Sequence, residues 1–121
     1  MTKDLLVLDS NLIRGKCLQY RLNRQARCDY ARTPETAFDH IREKLRSGGK
    51  YDAIVLPAEQ MRFAHGIASI YNTFGPASGG PRFVVMAGGR PREGAVAQGQ
   101  FMGKVVEVSG AAEASNAAMR C

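Results

Sequence analysis

Four short apolar runs, Leu5-Leu6-Val7-Leu8, Ala53-Ile54-Val55-Leu56, Phe83 to Ala87 and Val105 to Val108, recur along the chain, each followed by residues suited to a loop or a helix start. Runs this short and this rich in Val, Ile and Leu read as parallel strands covered on both faces, because a strand with one face in water would alternate polar and apolar positions. The second belongs to the segment Tyr51-Asp52-Ala53-Ile54-Val55-Leu56-Pro57, which closes on a residue with no acid, base or nucleophilic chemistry.

The stretches between the runs carry helix signals. Asp9-Ser10-Asn11 offers three capping residues before Leu12 to Gln25, where Cys17, Leu18 and Leu22 form an apolar stripe that can lie on a sheet with the bases facing outward. Arg27 to Ala31 is a strand by its place in the alternation more than by its composition. Thr33-Pro34 starts a second helix, with Ala37, Phe38, Ile41 and Leu45 on one face, and Ser47-Gly48-Gly49 stops it. Beyond Pro57 a loop leads to a helix over Phe63 to Phe74, with Ile67, Ile70, Tyr71 and Phe74 at helical spacing. Gly75 to Pro81 is a loop, and Arg82 to Ala87 a strand running into Gly88-Gly89-Arg90-Pro91-Arg92. A glycine-interrupted helix from Glu93 to Gln100, a strand from Lys104 to Val108 and an alanine-rich helix from Ala111 to Met119 complete the pattern.

Strands alternating with helices in this way imply an α/β fold. The expectation is a three-layer α/β/α sandwich of flavodoxin-like type, with right-handed crossovers and a five-stranded parallel sheet in the order 2-1-3-4-5. Function in such a sheet collects at the carboxyl ends of the strands. The residues there are Asp9 and Ser10 after strand one, Pro57 after strand three, Ala87 to Gly89 after strand four and Ser109 after strand five.

At 121 residues, 45% apolar and 23% charged, the chain has the proportions of a single domain, 1–121, able to bury roughly two thirds of its unfolded surface. No apolar run approaches the ~20 residues that span a bilayer, and Asp4 and Asp9 around a four-residue apolar run do not make a signal peptide, so a cytoplasmic location without membrane attachment is expected. Cys17, Cys28 and Cys121 lack CxxC spacing and paired histidines; buried or inert thiols are expected, with no disulfide framework and no zinc site. His40 and His65 have no ligand-like companions, so no metal is expected through them.

The net charge of +6 is concentrated early, since Leu12 to Arg32 holds six bases (Arg14, Lys16, Arg21, Arg24, Arg27, Arg32) against one acid, Asp29. Arg14, Lys16, Arg21, Arg24 and Arg27 can form a basic face that steers an acidic protein, nucleic acid or anionic surface toward the domain, or simply a solvated helix face. The Gly88-Gly89-Arg90-Pro91-Arg92 stretch matches neither GxGxxG nor GxxxxGK[ST] and reads as a loop.

Over its full length the chain resembles the receiver domains of two-component response regulators. Leu5-Leu6-Val7-Leu8-Asp9-Ser10-Asn11 stands where receivers have an apolar strand ending in acidic residues, and Asp52-Ala53-Ile54-Val55-Leu56 resembles the strand leading to their phosphoacceptor aspartate. Gly66 falls near a glycine common at the start of their third helix. The resemblance implies two carboxylates after strand one, which with the phosphoacceptor hold magnesium, a hydroxyl after strand four and a lysine after strand five. Carried onto this chain those positions are Asp9, Ser10, Pro57, Ala87 and, within one residue, Val108 or Ser109. One acid remains, which makes a poor site for a hard divalent cation, and position 57 offers no nucleophile. Glu59, two positions past Pro57, is the acid placed to fold back toward Asp9, and Lys104 stands at the wrong end of its strand.

What the resemblance implies is a degenerate receiver: no enzyme, no cofactor, no metal, acting as a phosphorylation-independent interaction or dimerisation module in bacterial signal transduction or transcription control. A protein partner or a second copy is expected, with an output domain beyond residue 121 suggested by the thin helix Ala111 to Met119. The alternatives are a small basic nucleic-acid-binding accessory protein, supported only by charge, and a ligand sensor with Ser10, Gly88 and Gly89 at the strand ends.

Overall fold

Five strands form one parallel sheet in the order β2-β1-β3-β4-β5, from β1 (Asp4–Leu8), β2 (Arg27–Ala31), β3 (Ala53–Pro57), β4 (Arg82–Met86) and β5 (Val105–Val108). This is the expected flavodoxin-like order, and it places the first two crossings on opposite sides of β1. The structure is a computed structural model that describes residues 3–63, 66–67, 69–70, 81–86 and 105–108.

The alternation of side chains along the central strands divides the core into two layers. Leu5 and Val7 of β1, with Ala53 and Val55 of β3 and Val84 and Met86 of β4, meet Leu18 and Leu22 of helix α1 (Leu12–Asn23). Leu6, Leu8, Ile54, Leu56, Phe83 and Val85 point the other way, to Ala37 and Ile41 of helix α2 (Pro34–Arg46) and to Ile67. Both faces are dry, which is why these strands read as unbroken apolar runs. The edge strand β2 reads poorly for the complementary reason: Arg27 is exposed, Asp29 half-buried, and only Cys28 and Ala31 are buried. Its place is held by a continuous ladder with β1 and by the Tyr51 hydroxyl, which donates to Asp29 Oδ2 at 2.5 Å.

The caps form as the residue types dictate. Thr33 Oγ1 accepts from the Thr36 N–H at 3.2 Å with Pro34 in the first turn, and α2 ends through Ser47 into Gly48 at φ +85°, a left-handed conformation suited to glycine. Asn11 caps α1, accepting from the Arg14 N–H at 3.0 Å. The helix stops at Asn23, two residues short of the expected Gln25, because the Asn23 side chain accepts the Cys28 N–H at 2.8 Å and ties the helix end to β2.

The buried stripe of α1 is Gly15, Leu18 and Leu22, not Cys17, Leu18 and Leu22. Of the thiols expected to be buried or inert, Cys17 is exposed, whereas Cys28 is buried and desolvation, with the nearby Asp29 charge, pushes its thiol up to about 12. Gly15 sits on the sheet side because the Tyr30 ring occupies the space a side chain would need: a β-carbon there would lie 2.9 Å from Tyr30 Cζ and closer still to Cε1.

Past Pro57 the expected loop is a 3-10 helix, Ala58–Phe63, built from residues with no objection to helical backbone. Gly66, Ile67, Ser69 and Ile70 are helical, with Ile67 buried and Ile70 against the α2-side layer, in line with part of the helix expected over Phe63 to Phe74. The rest of that helix, the elements expected at 88–104 and the helix at 111–119 lie outside the described residues. Among those described, no helix is long and apolar enough to cross a membrane.

Gly15→Ala should destabilise the domain by roughly 1–3 kcal/mol, the usual cost of forcing a methyl into a filled site. Urea unfolding should show the loss largely recovered by adding Tyr30→Ala, measured against Tyr30→Ala alone. Cys28 stability linkage has a definite sign: with the folded value raised from 9.0 to about 12, the contribution is complete below pH 9 and is lost as pH rises toward 12. Native alkylation at neutral pH should therefore modify Cys17 and spare Cys28, and equal rates at the two would contradict this packing.

Candidate functional site

The carboxyl ends of β1 and β3 are where the chain brings charge into the interior. Asp9 follows β1 directly, is 0% exposed, and donates its N–H to the Ala31 carbonyl at 3.1 Å. Its Oδ1 accepts the Asn11 N–H at 2.9 Å, an aspartate turn two residues long, so that Asn11 can cap α1. This sets Arg14 in the first turn of the helix, where a cation works against the helix dipole unless an anion answers it.

Asp9 is that anion. Arg14 Nε lies 2.5 Å from Asp9 Oδ2 and Nη2 lies 2.9 Å from Oδ1, a two-pronged bridge onto both carboxylate oxygens. The same Nη2 reaches Glu59 Oε1 at 3.0 Å, in the first turn of the 3-10 helix after Pro57. The side chains of Arg14 and Glu59 are 41% and 62% exposed, so the bridge runs from a dry end at Asp9 to a wet end at Glu59. The hydrogen bond to Asp9 drives the guanidinium pKa still higher, burial opposes this, and Glu59 adds to it. A permanent cation therefore stands between two acids at this end of the sheet.

Tyr30 completes the enclosure. Its hydroxyl donates to the Asp9 backbone carbonyl at 2.7 Å, its ring fills the space beside Gly15, and Lys16 Nζ sits 5.2 Å from the ring centroid. Burial raises the Tyr30 pKa, with the Asp9 charge adding to it. The β1–β3 register, Leu5 with Ala53 through Val7 with Val55, carried two residues further sets Asp9 beside Pro57. Pro57 is buried and in register with Met86.

Of the expected site positions, the structure thus gathers Asp9 and Pro57 and adds Glu59 through Arg14. Ser10 is exposed, and its backbone carbonyl accepts from Arg32 Nε at 3.4 Å. Ala87, Gly88, Gly89, Lys104 and Ser109 lie outside the described residues, as does the side chain of Val108. Arg14, expected on the basic face, is half-exposed and also turns to Asp9, a buried carboxylate that needs a partner. Lys16 and Arg21 on α1 and Arg24 at its C-cap remain outward, while Arg27 opens β2 with its Nε 3.9 Å from Asp4 Oδ1. The Arg14 role was not legible beforehand, because its partner is five residues back across a turn and its second acid is 45 residues away.

The magnesium that the receiver resemblance implies does not fit these residues. Both Asp9 oxygens are engaged by a guanidinium, Ser10 brings one hydroxyl, and Pro57 brings no oxygen from its side chain. Among the described residues no three His, Cys, Asp or Glu side chains are grouped to hold a metal ion.

Comparison with solved structures accords with the topology. The receiver domain of the histidine kinase CKI1 from Arabidopsis thaliana superposes with a TM-score of 0.69 at 16% identity, over 87% of this chain and 80% of that one. The fold is that of a receiver domain. The signal receiver domain of an HD domain-containing protein from Pseudomonas fluorescens gives 0.65 at 17% identity, covering 99% and 93% of the two chains. A response regulator receiver domain protein from Bacillus halodurans gives 0.66 at 12% identity, covering 99% and 97%. No family model matches the sequence, and no curated protein matches it.

Arg14→Ala should cost about 2–3 kcal/mol in chemical unfolding, below the several kcal/mol of a fully buried pair because Arg14 is partly solvated. Adding Asp9→Asn should recover much of the loss, since no buried charge is then left alone, whereas Glu59→Gln alone should cost less than about 1 kcal/mol. Equal losses for Arg14→Ala and Glu59→Gln would mean that Asp9 is not the partner that matters.

Proposed function

We propose that this receiver-fold chain is a signalling domain that acts by contact, without phosphoryl transfer and without a divalent cation. The observation that supports it most is the Arg14 bridge: the buried acid of the strand-end site is already neutralised by a side chain, beside a proline where the fold's relatives would be expected to carry a carboxylate. Aspartyl phosphate needs a carboxylate nucleophile and a cation to draw charge from the transferring group; here position 57 carries a proline and the cation has no ligand set. Nothing in this site asks the domain to be an enzyme.

What the domain keeps is a rigid sheet that presents helix faces, and a helix face is what a protein partner reads. A role in bacterial signal transduction or transcription control, in the cytoplasm, through another protein or a second copy, accords with this. Direct nucleic-acid binding has less support, because Arg14 directs its hydrogen bonds to Asp9 and Glu59 and no reading motif accompanies the other bases.

Incubation with acetyl phosphate and magnesium should leave the intact mass unchanged. A phosphoryl mass gain that disappears in Glu59→Gln would overturn the proposal, since Glu59 is the exposed acid joined through Arg14 to the strand-end site.

A further inference from the structure

Strand β2 is the outer strand of the sheet, and the hydrogen bonds around it show which way each of its residues turns its backbone. In a parallel pair alternate residues aim their N–H and C=O at the neighbour, and the residues between them aim outward. Arg27 donates its N–H to the Lys3 carbonyl at 2.9 Å and the Ala31 carbonyl accepts the Asp9 N–H at 3.1 Å, so Arg27, Asp29 and Ala31 face β1. Cys28 and Tyr30 therefore turn theirs away from the sheet. Outward N–H and C=O groups on an edge are a template for another strand.

At Cys28 both groups are already taken. The Asn23 side-chain oxygen accepts the Cys28 N–H at 2.8 Å, and Gln19 Nε2 donates to the Cys28 carbonyl at 3.0 Å. Gln19 and Asn23 stand four residues apart on α1, neighbours on one side of the helix. Between them they supply the acceptor and the donor that a further strand would bring. Leu18 and Leu22 already hold α1 against the sheet, and water could satisfy an open edge; what the two amides add is to keep another backbone out. With Cys28 closed, Tyr30 alone among the β2 residues still turns backbone groups outward, too few to start a ladder.

We propose that Gln19 and Asn23 guard a latent self-pairing edge: with both amides gone, β2 joins β2 of a second copy of this chain, antiparallel about a twofold axis. The occupant follows from the charge pattern. In the register that centres the two Cys28 residues on each other, Arg27 lies opposite Asp29 of the second copy, and Asp29 opposite Arg27 of the second copy. Those positions fall between the hydrogen-bonded pairs, where side chains approach most closely, and opposite charges there favour the ladder. Arg27 is 71% exposed, and Tyr51 engages one oxygen of Asp29, leaving the other for an arginine. An unrelated strand would need this charge pattern by chance; a second copy carries it by symmetry. The guard stands independently of any phosphoryl chemistry at the strand-end site.

The test uses the whole chain carrying Gln19→Ala with Asn23→Ala, read by light scattering and by NMR hydrogen exchange of single amides. In dilute solution the Cys28 amide of the double variant should exchange about tenfold faster than in the unaltered chain, the worth of a lost hydrogen bond. As concentration rises the variant should become a dimer in which the Cys28 and Tyr30 amides are both protected, while the unaltered chain shows no such change at Tyr30. Adding Arg27→Glu should restore the monomer, because acids then face acids across the register. Four outcomes overturn the proposal: a double variant that stays monomeric at every concentration, a dimer whose Tyr30 amide still exchanges freely, a dimer that survives Arg27→Glu, or Tyr30 protection that grows with concentration in the unaltered chain. Should the double variant not fold, Gln19→Met alone carries the test, since it frees the Cys28 carbonyl while Asn23 keeps the helix end tied. It should show the same concentration-dependent Tyr30 protection, more weakly, and its absence overturns the proposal equally. A phosphoryl mass gain would sink the phosphorylation-independent reading while leaving this result standing, so the two fail separately.

Discussion

A carboxylate with no exposure to water is the constraint around which this end of the molecule is arranged. Asp9 cannot be left bare, since an uncompensated buried charge costs several kcal/mol. Arg14 meets it on both oxygens, Asn11 donates a backbone N–H to it, and Tyr30 closes over the adjoining carbonyl. Each of these contacts fixes something else. Arg14 sets the rotation of α1, Asn11 its first residue, and Tyr30 the requirement for glycine at position 15. Through Glu59 the same guanidinium ties the segment after β3 to the start of α1, two parts of the chain that the sheet alone would leave unconnected.

The consequence for chemistry follows from charge and oxygen supply. A divalent cation and a guanidinium satisfy a buried acid in different ways: the cation needs several hard oxygen ligands and leaves coordination positions free, whereas the guanidinium brings its own hydrogen bonds and leaves none. A site filled in the second way holds its shape without an ion. The exposed face of α1 beside it is basic and apolar together.

Much of the fold was legible because the residues that specify it act locally or by simple repetition. The runs at Leu5, Ala53, Phe83 and Val105 are apolar for a reason the eye can find, burial on both faces, and Thr33-Pro34 caps α2 by its own side chain and ring. The β1, β2 and α2 boundaries came out as the sequence pattern implies. The α1 stripe did not. Cys17 and Gly15 differ by two positions, and hydrophobicity ranks the cysteine as the buried one; the Tyr30 ring, from strand β2, decides for the glycine. The 3-10 helix after Pro57 escaped notice because its six residues carry no periodic signal.

The amino-acid sequence by itself determined the class of fold, the strand order that such an alternation favours, and the absence of a nucleophile at position 57, since these depend on residue type and spacing along the chain. Only the tertiary structure decided what Asp9 and Arg14 do. Sequence spacing cannot show that a base in a helix's first turn bends inward to a buried acid, because that choice is made by the missing water around Asp9 and by Glu59 arriving from 45 residues away. The same folding step separated Arg14 from Lys16, Arg21 and Arg24, turning one run of bases into an internal bridge and an outward face.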